Sequence, residues 1–236
     1  MQLNHAIIKK TNVRGQLMIK GIIFDMDGTI LNTIDDITDS VNYALASMEY
    51  PLQTVHQVKM AVGSGAIQLI ERVLPALSSK ELVMKVFKIY QAHYDQNNSN
   101  KTGPYEGIML LLNQLRTQGF KLSVVSNKYD HLVQELNEKI FNKYFDVSIG
   151  EIKGIPIKPA PDMIDKALKL LDLKKDEVLF VGDSEIDMLT ATNAKLKSVG
   201  VTWGFRDQSV LEAHHADFII HKPEELFNVI ERMNRP

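Results

Sequence analysis

Cysteine is absent from the 236-residue chain, which removes disulfide staples, cysteine-ligated zinc and a thiol nucleophile together. The absence agrees with a reducing compartment such as the cytoplasm. No apolar run approaches the roughly 18 residues that cross a bilayer, so no membrane span is expected. Neither charge sign is in excess: 27 Lys and Arg face 29 Asp and Glu, which leaves no global field to draw the chain to nucleic acid or to an anionic membrane. The aromatic residues show no pairing with basic clusters of the kind that stacks bases. A GxxxxGK(S/T) phosphate loop is missing. Gly63-Ser64-Gly65 has neither the third glycine nor the preceding strand of a dinucleotide fingerprint. His214-His215 has no further spaced ligands and reads as surface.

What remains is an ordinary soluble composition, 44% apolar and 24% charged, long enough for one large domain or a core with a smaller attachment. Five short runs rich in Val, Ile and Phe, at 19–24, 121–125, 178–181, 198–201 and 218–220, lack polar alternation and suit parallel strands buried on both faces. A weaker strand signal lies at 145–149. Helical spacing separates them, as in Ile108, Leu111, Leu112 and Leu115, then Ile164, Ala167, Leu168 and Leu171. The alternation predicts an α/β fold, a doubly wound, Rossmann-like parallel sheet. It is interrupted once. Residues 32–103 carry no convincing strand and predict helices at about 33–49, 64–73 and 79–97, closed by a Gly103-Pro104 turn signal. An α-helical insert there would sit above the strand ends as a lid. The expected division is a core of 18–31 and 104–236 with a cap domain at 32–103. Residues 1–17 read as an extension ahead of Met18, neither signal peptide nor anchor.

Ligands of open α/β sheets bind beyond the carboxyl ends of the strands, so the residues that follow each apolar run matter most. The first run ends in Asp25, with Asp27 two positions on. The second ends in Ser126-Asn127-Lys128, and the third in Gly182-Asp183-Ser184 with Asp187 a turn later. Asp25 and Asp27 could be turn formers. They could equally face one pocket, where crowding raises one carboxyl pKa and suits a nucleophile beside a general acid. Ser126 could cap a helix starting near Tyr129, a role compatible with phosphate binding. Asp183 and Asp187, spaced i, i+4, are expected on one helix face. Four acids at one edge would repel unless a hard cation lay among them, and magnesium fits an all-oxygen set. Lys158 could be a solvated surface lysine. Its setting between Pro156, Pro159 and Pro161 instead suggests a stiff loop presenting one cation to that edge.

DMDGT at 25–29, SNK at 126–128, IKPAPD at 157–162 and GDSEID at 182–187 resemble, in order and spacing, the four motifs of the haloacid dehalogenase superfamily. The resemblance covers nearly everything from Met18 onward, and the helical insert resembles that superfamily's cap. It implies a Mg²⁺-dependent phosphatase with Asp25 as nucleophile and Asp27 as acid and base. It further implies that Ser126, the Asn127 amide and Lys158 bind the phosphoryl group. Metal would be held by Asp25, the Asp27 carbonyl and Asp183, with Asp187 in support. Dehalogenases of the superfamily lack the second acid, so Asp27 argues against dehalogenation. The stretches AVGSGAIQLIERVL (61–74) and GVTWGF (200–205) resemble phosphoglycolate phosphatases most. A phosphosugar mutase of the β-phosphoglucomutase type, a pyrophosphatase and a non-catalytic regulator on the same fold are the alternatives. The expected partner is a small phosphorylated metabolite met by a monomer or homodimer, without nucleic acid or membrane.

Overall fold

A computed structural model describes residues 18–142 and 144–235; the expected extension at 1–17 lies outside them. The chain opens with β1 (Gly21–Phe24), whose four residues are all buried, as the unbroken apolar run requires of a strand covered on both faces. It then passes through β2 (Leu31–Asn32) into four helices, α1 (Ile34–Ala46), α2 (Val55–Ala61), α3 (Ala66–Val73) and α4 (Lys80–Asn97). It returns through β3 (Gly103–Pro104) to α5 (Ile108–Thr117), β4 (Lys121–Tyr129), α6 (Asp130–Leu136) and β5 (Val147–Glu151). The remainder alternates: α7 (Asp162–Leu171), β6 (Val178–Gly182), α8 (Glu185–Ala194), β7 (Lys197–Val201), α9 (Gln208–Ala213), β8 (Phe218–Ile220) and α10 (Leu226–Asn234).

Six strands form one parallel sheet in the order β5-β4-β1-β6-β7-β8. The order reverses direction about β1, because the chain first builds outward through β4 and β5 and then crosses back to β6. That switch point opens a crevice at the carboxyl ends of the central strands. Buried apolar side chains cover both faces of the sheet: Ile22, Phe24 and Leu112 pack on one side, Ile23, Phe180 and Ile164 on the other.

Helices α1–α4 enclose a third cluster around Val41, Leu45, Ile70, Val86 and Phe87. The sequence expectation differs here in two ways. Helix α2 was not expected, although its seven residues carry Val55, Val58 and Ala61 on one face and a Thr54/Gln57 capping box. The borders of the insert are strand: Leu31 and Asn32 pair antiparallel with Pro104 and Gly103, a rung that joins the two connections to the sheet. Among the described residues no helix is long and apolar enough to cross a membrane.

Candidate active site

Asp25 follows β1 directly, and its amide still donates to Val181 O, so the central strand fixes the residue's backbone. Its Oδ1 accepts from the Met26 amide at 2.7 Å and from Lys158 Nζ at 2.7 Å. Next, Met26 O accepts from the amides of Thr29, Ile30 and Leu31, folding residues 26–31 into a tight loop that brings Leu31 back beside Asp27. Gly28 sits at φ 86°, where a Cβ would lie 2.3 Å from Asp183 Oδ2; only glycine allows this loop to lie against the next carboxylate.

Asp183 follows β6. Its Oδ1 accepts from Thr29 Oγ1 at 2.9 Å and its Oδ2 from the Phe205 amide at 2.7 Å. The i, i+4 spacing does not place Asp183 and Asp187 on one helix face: Ser184 is the N-cap of α8, so Asp183 precedes the helix and Asp187 is its third residue. Ser184 Oγ donates to Asp187 Oδ2 at 2.6 Å, and Lys158 Nζ holds Asp187 Oδ1 at 2.8 Å. Lys158 thus bridges two buried carboxylates, far from the solvated surface lysine it could have been. Its own backbone is clamped by the Asn127 side chain, through Lys158 N to Oδ1 at 2.8 Å and Nδ2 to Lys158 O at 2.9 Å.

Ser126 is not a helix N-cap. Strand β4 runs on to Tyr129, which caps α6, and Ser126 Oγ instead accepts from the Lys128 amide at 3.3 Å. Of the seven residues singled out in the sequence, Asp25, Asp27, Ser126, Asn127, Lys158 and Asp183 line one cavity of about 60 Å³, and Asp187 lies behind Lys158. Four residues in this region carried no sequence signal for their contacts: Thr29, Tyr94, Lys128 and Arg206. Tyr94, Lys128 and Arg206 line the cavity as well, and their partners lie far away in sequence.

The electrostatics are unbalanced. Carboxylates of Asp25, Asp27, Asp183 and Asp187 face the ammonium groups of Lys128 and Lys158. Burial, and then the charge of Asp187, hold the Asp25 carboxyl well above the usual carboxylate range despite Lys158. The same two causes push Asp183 up to about 7, against the hydrogen bonds from Phe205 and Thr29. Burial works against the Lys158 ammonium, but Asp187 and Asp25 outweigh it and raise its pKa. Oxygens of Asp25, Asp183 and Asp187 all lie within 4.8 Å of one another. A buried, oxygen-only set with surplus negative charge fits a hard divalent cation.

A parallel sheet with a buried carboxylate cluster at its switch point, closed by a lysine, defines a hydrolase of the haloacid dehalogenase-like type, and that family's sequence profile matches residues 22–201. The chain belongs to this family. It is 31% identical over 219 residues to the phosphoglycolate phosphatase of Vibrio parahaemolyticus, covering 90% of this chain and 96% of that one. It is 28% identical to pyrophosphatase PpaX of Bacillus cereus, over 93% of this chain and all of that one. A crystal structure from Lactobacillus delbrueckii subsp. bulgaricus, described as that of a phosphoglycolate phosphatase, superposes with a TM-score of 0.87 at 36% identity, over 90% of this chain and 98% of that one. The protein is a phosphatase of this family.

Proposed function

We propose that this phosphatase hydrolyses a small phosphomonoester through an aspartyl-phosphate on Asp25, with 2-phosphoglycolate the first substrate to test. One observation carries the reading: the Asp25 carboxylate ends the central strand, buried, with its Oδ1 fixed by Met26 N and Lys158 Nζ. That arrangement leaves Oδ2 to attack phosphorus. Phosphoryl transfer asks mainly for alignment and charge neutralisation, which a buried ammonium beside the nucleophile supplies.

In the first half-reaction a bond forms from Asp25 Oδ2 to phosphorus as the bond to the leaving oxygen breaks. That oxygen takes a proton from Asp27. In the second, Asp27 takes a proton from water, which attacks the acyl phosphate and releases inorganic phosphate and the Asp25 carboxylate. Ser126 Oγ, the Asn127 amide and Lys158 hold the phosphoryl oxygens. The Asn127 side chain, through its grip on the Lys158 backbone, fixes where that ammonium stands. Mg²⁺ would be held by Asp25, the Asp27 carbonyl and Asp183, with Asp187 in support. When bound it would offset the surplus carboxylate charge and polarise the phosphoryl oxygens. Residues 32–103 act as a cap domain over a core of 18–31 and 104–236, and the compartment is the cytoplasm.

The test is phosphate release from 2-phosphoglycolate, pyrophosphate and several sugar phosphates, with Mg²⁺ and with EDTA. Magnesium-dependent release led by 2-phosphoglycolate is the expected result; release led by pyrophosphate would replace the substrate and keep the mechanism. Asp25→Asn is expected to lower turnover on the order of 10³-fold or more. It should also abolish any hydroxylamine-labile phosphate on the protein. Appreciable residual turnover in that variant would remove the covalent step.

A further inference from the structure

Lys128 is the third residue of the SNK stretch, and neither phosphate binding nor metal binding gives it a task. Its side chain, which ends in an ammonium group, is only 5% exposed. Burying an ammonium is costly unless partners replace its water, and it has two. Nζ lies 3.1 Å from Asp27 Oδ2 and donates to Tyr94 Oη at 2.7 Å. Tyr94 belongs to α4, so this hydrogen bond crosses from the helical insert to the sheet. The phenol is itself fixed, buried and stacked on Tyr90 with ring centroids 5.5 Å apart.

Asp27 stands differently from the other three acids. Asp25, Asp183 and Asp187 each have hydrogen bonds from neighbouring backbone amides. Among the described residues the Asp27 carboxylate has one polar partner, Lys128, on Oδ2. Its Oδ1 is out of reach of water and has no hydrogen-bond partner. A carboxylate tied at one oxygen can turn only about that contact, so the ion pair decides which way Oδ1 faces. The carboxylate lines the cavity that Asp25, Asp27 and Lys128 share, where it can exchange a proton with a reacting oxygen.

We infer that Lys128 and Tyr94 are positioning residues for Asp27. They hold its carboxylate in the orientation that serves the leaving group, and the arrangement is complete only while α4 is seated on the sheet. The inference rests on the proposed role of Asp27 as proton donor. Its consequence is a seat for the acid that depends on the insert: substrate bound under an unseated α4 would meet the nucleophile without an aligned acid.

The test uses kcat/KM, which reports steps through departure of the leaving group, for two substrates of the full-length protein. One is the best alkyl phosphate of the panel; the other is 4-nitrophenyl phosphate, whose phenolate leaves without a proton. General acid assistance is worth about 10²–10⁴-fold, so Asp27→Asn is expected to lower the alkyl-to-aryl ratio by that order. Lys128→Met is expected to lower the same ratio by about tenfold or more, and Tyr94→Phe by a smaller factor in the same direction. In the Asp27→Asn background, Lys128→Met is expected to change the ratio no further. Equal losses on both substrates, or an undiminished effect in that background, would overturn the inference and leave Lys128 a structural or substrate-binding residue. An unchanged ratio in Asp27→Asn would overturn the acid role itself, and with it this inference, while inactivity of Asp25→Asn would still support the covalent step.

Discussion

Asp183 shows how single residues set the conditions under which this site exists. Two donors hold its carboxylate, but burial and Asp187 dominate and push it to about 7, against 3.8 in an unhindered carboxyl. Asp25 is raised for the same reasons. Between 3.8 and about 7 the folded protein without metal therefore binds more protons than the unfolded chain. Its stability must fall as pH rises through that window, because deprotonation leaves unshielded carboxylates side by side. The expected outcome is a Tm in EDTA that declines from mildly acid to neutral pH. Mg²⁺ should raise Tm most at the neutral end, where it replaces the missing protons. Asp183→Asn should flatten the EDTA profile; a profile equally steep in that variant would place the titration elsewhere. Gly204 is a companion case. A Cβ there would lie 2.3 Å from Asp183 Cβ and 2.4 Å from Gly28 O, both against fixed groups. Gly204→Ala is expected to cost about 1–3 kcal/mol in urea unfolding and to lower Mg²⁺ affinity by displacing the carboxylate.

Among elements, the two connections between insert and sheet are tied more firmly than their length suggests. Asp36, buried in the first turn of α1, accepts from the amides of Lys101 and Thr102 at 2.9 Å each and from Thr102 Oγ1 at 2.8 Å. The returning chain is thus fastened to the helix at which the insert begins. Asp36→Ala would strand these donors, and about 2 kcal/mol of lost stability is expected from hydrogen bonds to a charged acceptor; Asp36→Asn should cost less. Equilibrium unfolding of the two variants measures the difference. None of this was legible beforehand, and the reason is general to this chain. Strands β1, β4, β6, β7 and β8 announced themselves because burial on both faces demands unbroken apolar runs. The carboxylates announced themselves because strand ends are where such sheets place chemistry. Strands β2 and β3 are two residues each and exist only through mutual pairing across the insert, which no local pattern encodes. Helix α2 did leave a signal, the Thr54/Gln57 capping box, but seven residues are too few for periodicity to stand out. The capping reading of Ser126 does not hold because β4, irregular in its pairing after Val125, carries on through the motif to Tyr129.

For the whole molecule the question is what holds four helices over the sheet edge, since they pack around a core of their own. Three polar contacts do so beside the site: Tyr94 with Lys128, Asn127 Nδ2 with Gly63 O at 3.0 Å, and Arg206 with the end of α2. Arg206 is the strongest of them. It leaves the loop after β7, is anchored by Glu185 at 2.8 Å, and donates to Lys59 O at 2.7 Å and Val62 O at 2.8 Å. Those carbonyls close the carboxyl-terminal turn of α2, which has no further helix to accept from and carries partial negative charge. A guanidinium can serve the carboxylate and both carbonyls at once because its donors form a planar fork; an ammonium cannot. Arg206→Lys is therefore expected to behave much like Arg206→Met. Both should raise KM by about tenfold and open residues 63–65 to proteolytic cleavage, while Mg²⁺ still stabilises the protein because no carboxylate of the cluster is touched. Substrate should restore protection by drawing the helices back. If Arg206→Met left cleavage at 63–65 and KM as they were, the helices would be held by their apolar contacts, and Arg206 would serve only to neutralise Glu185.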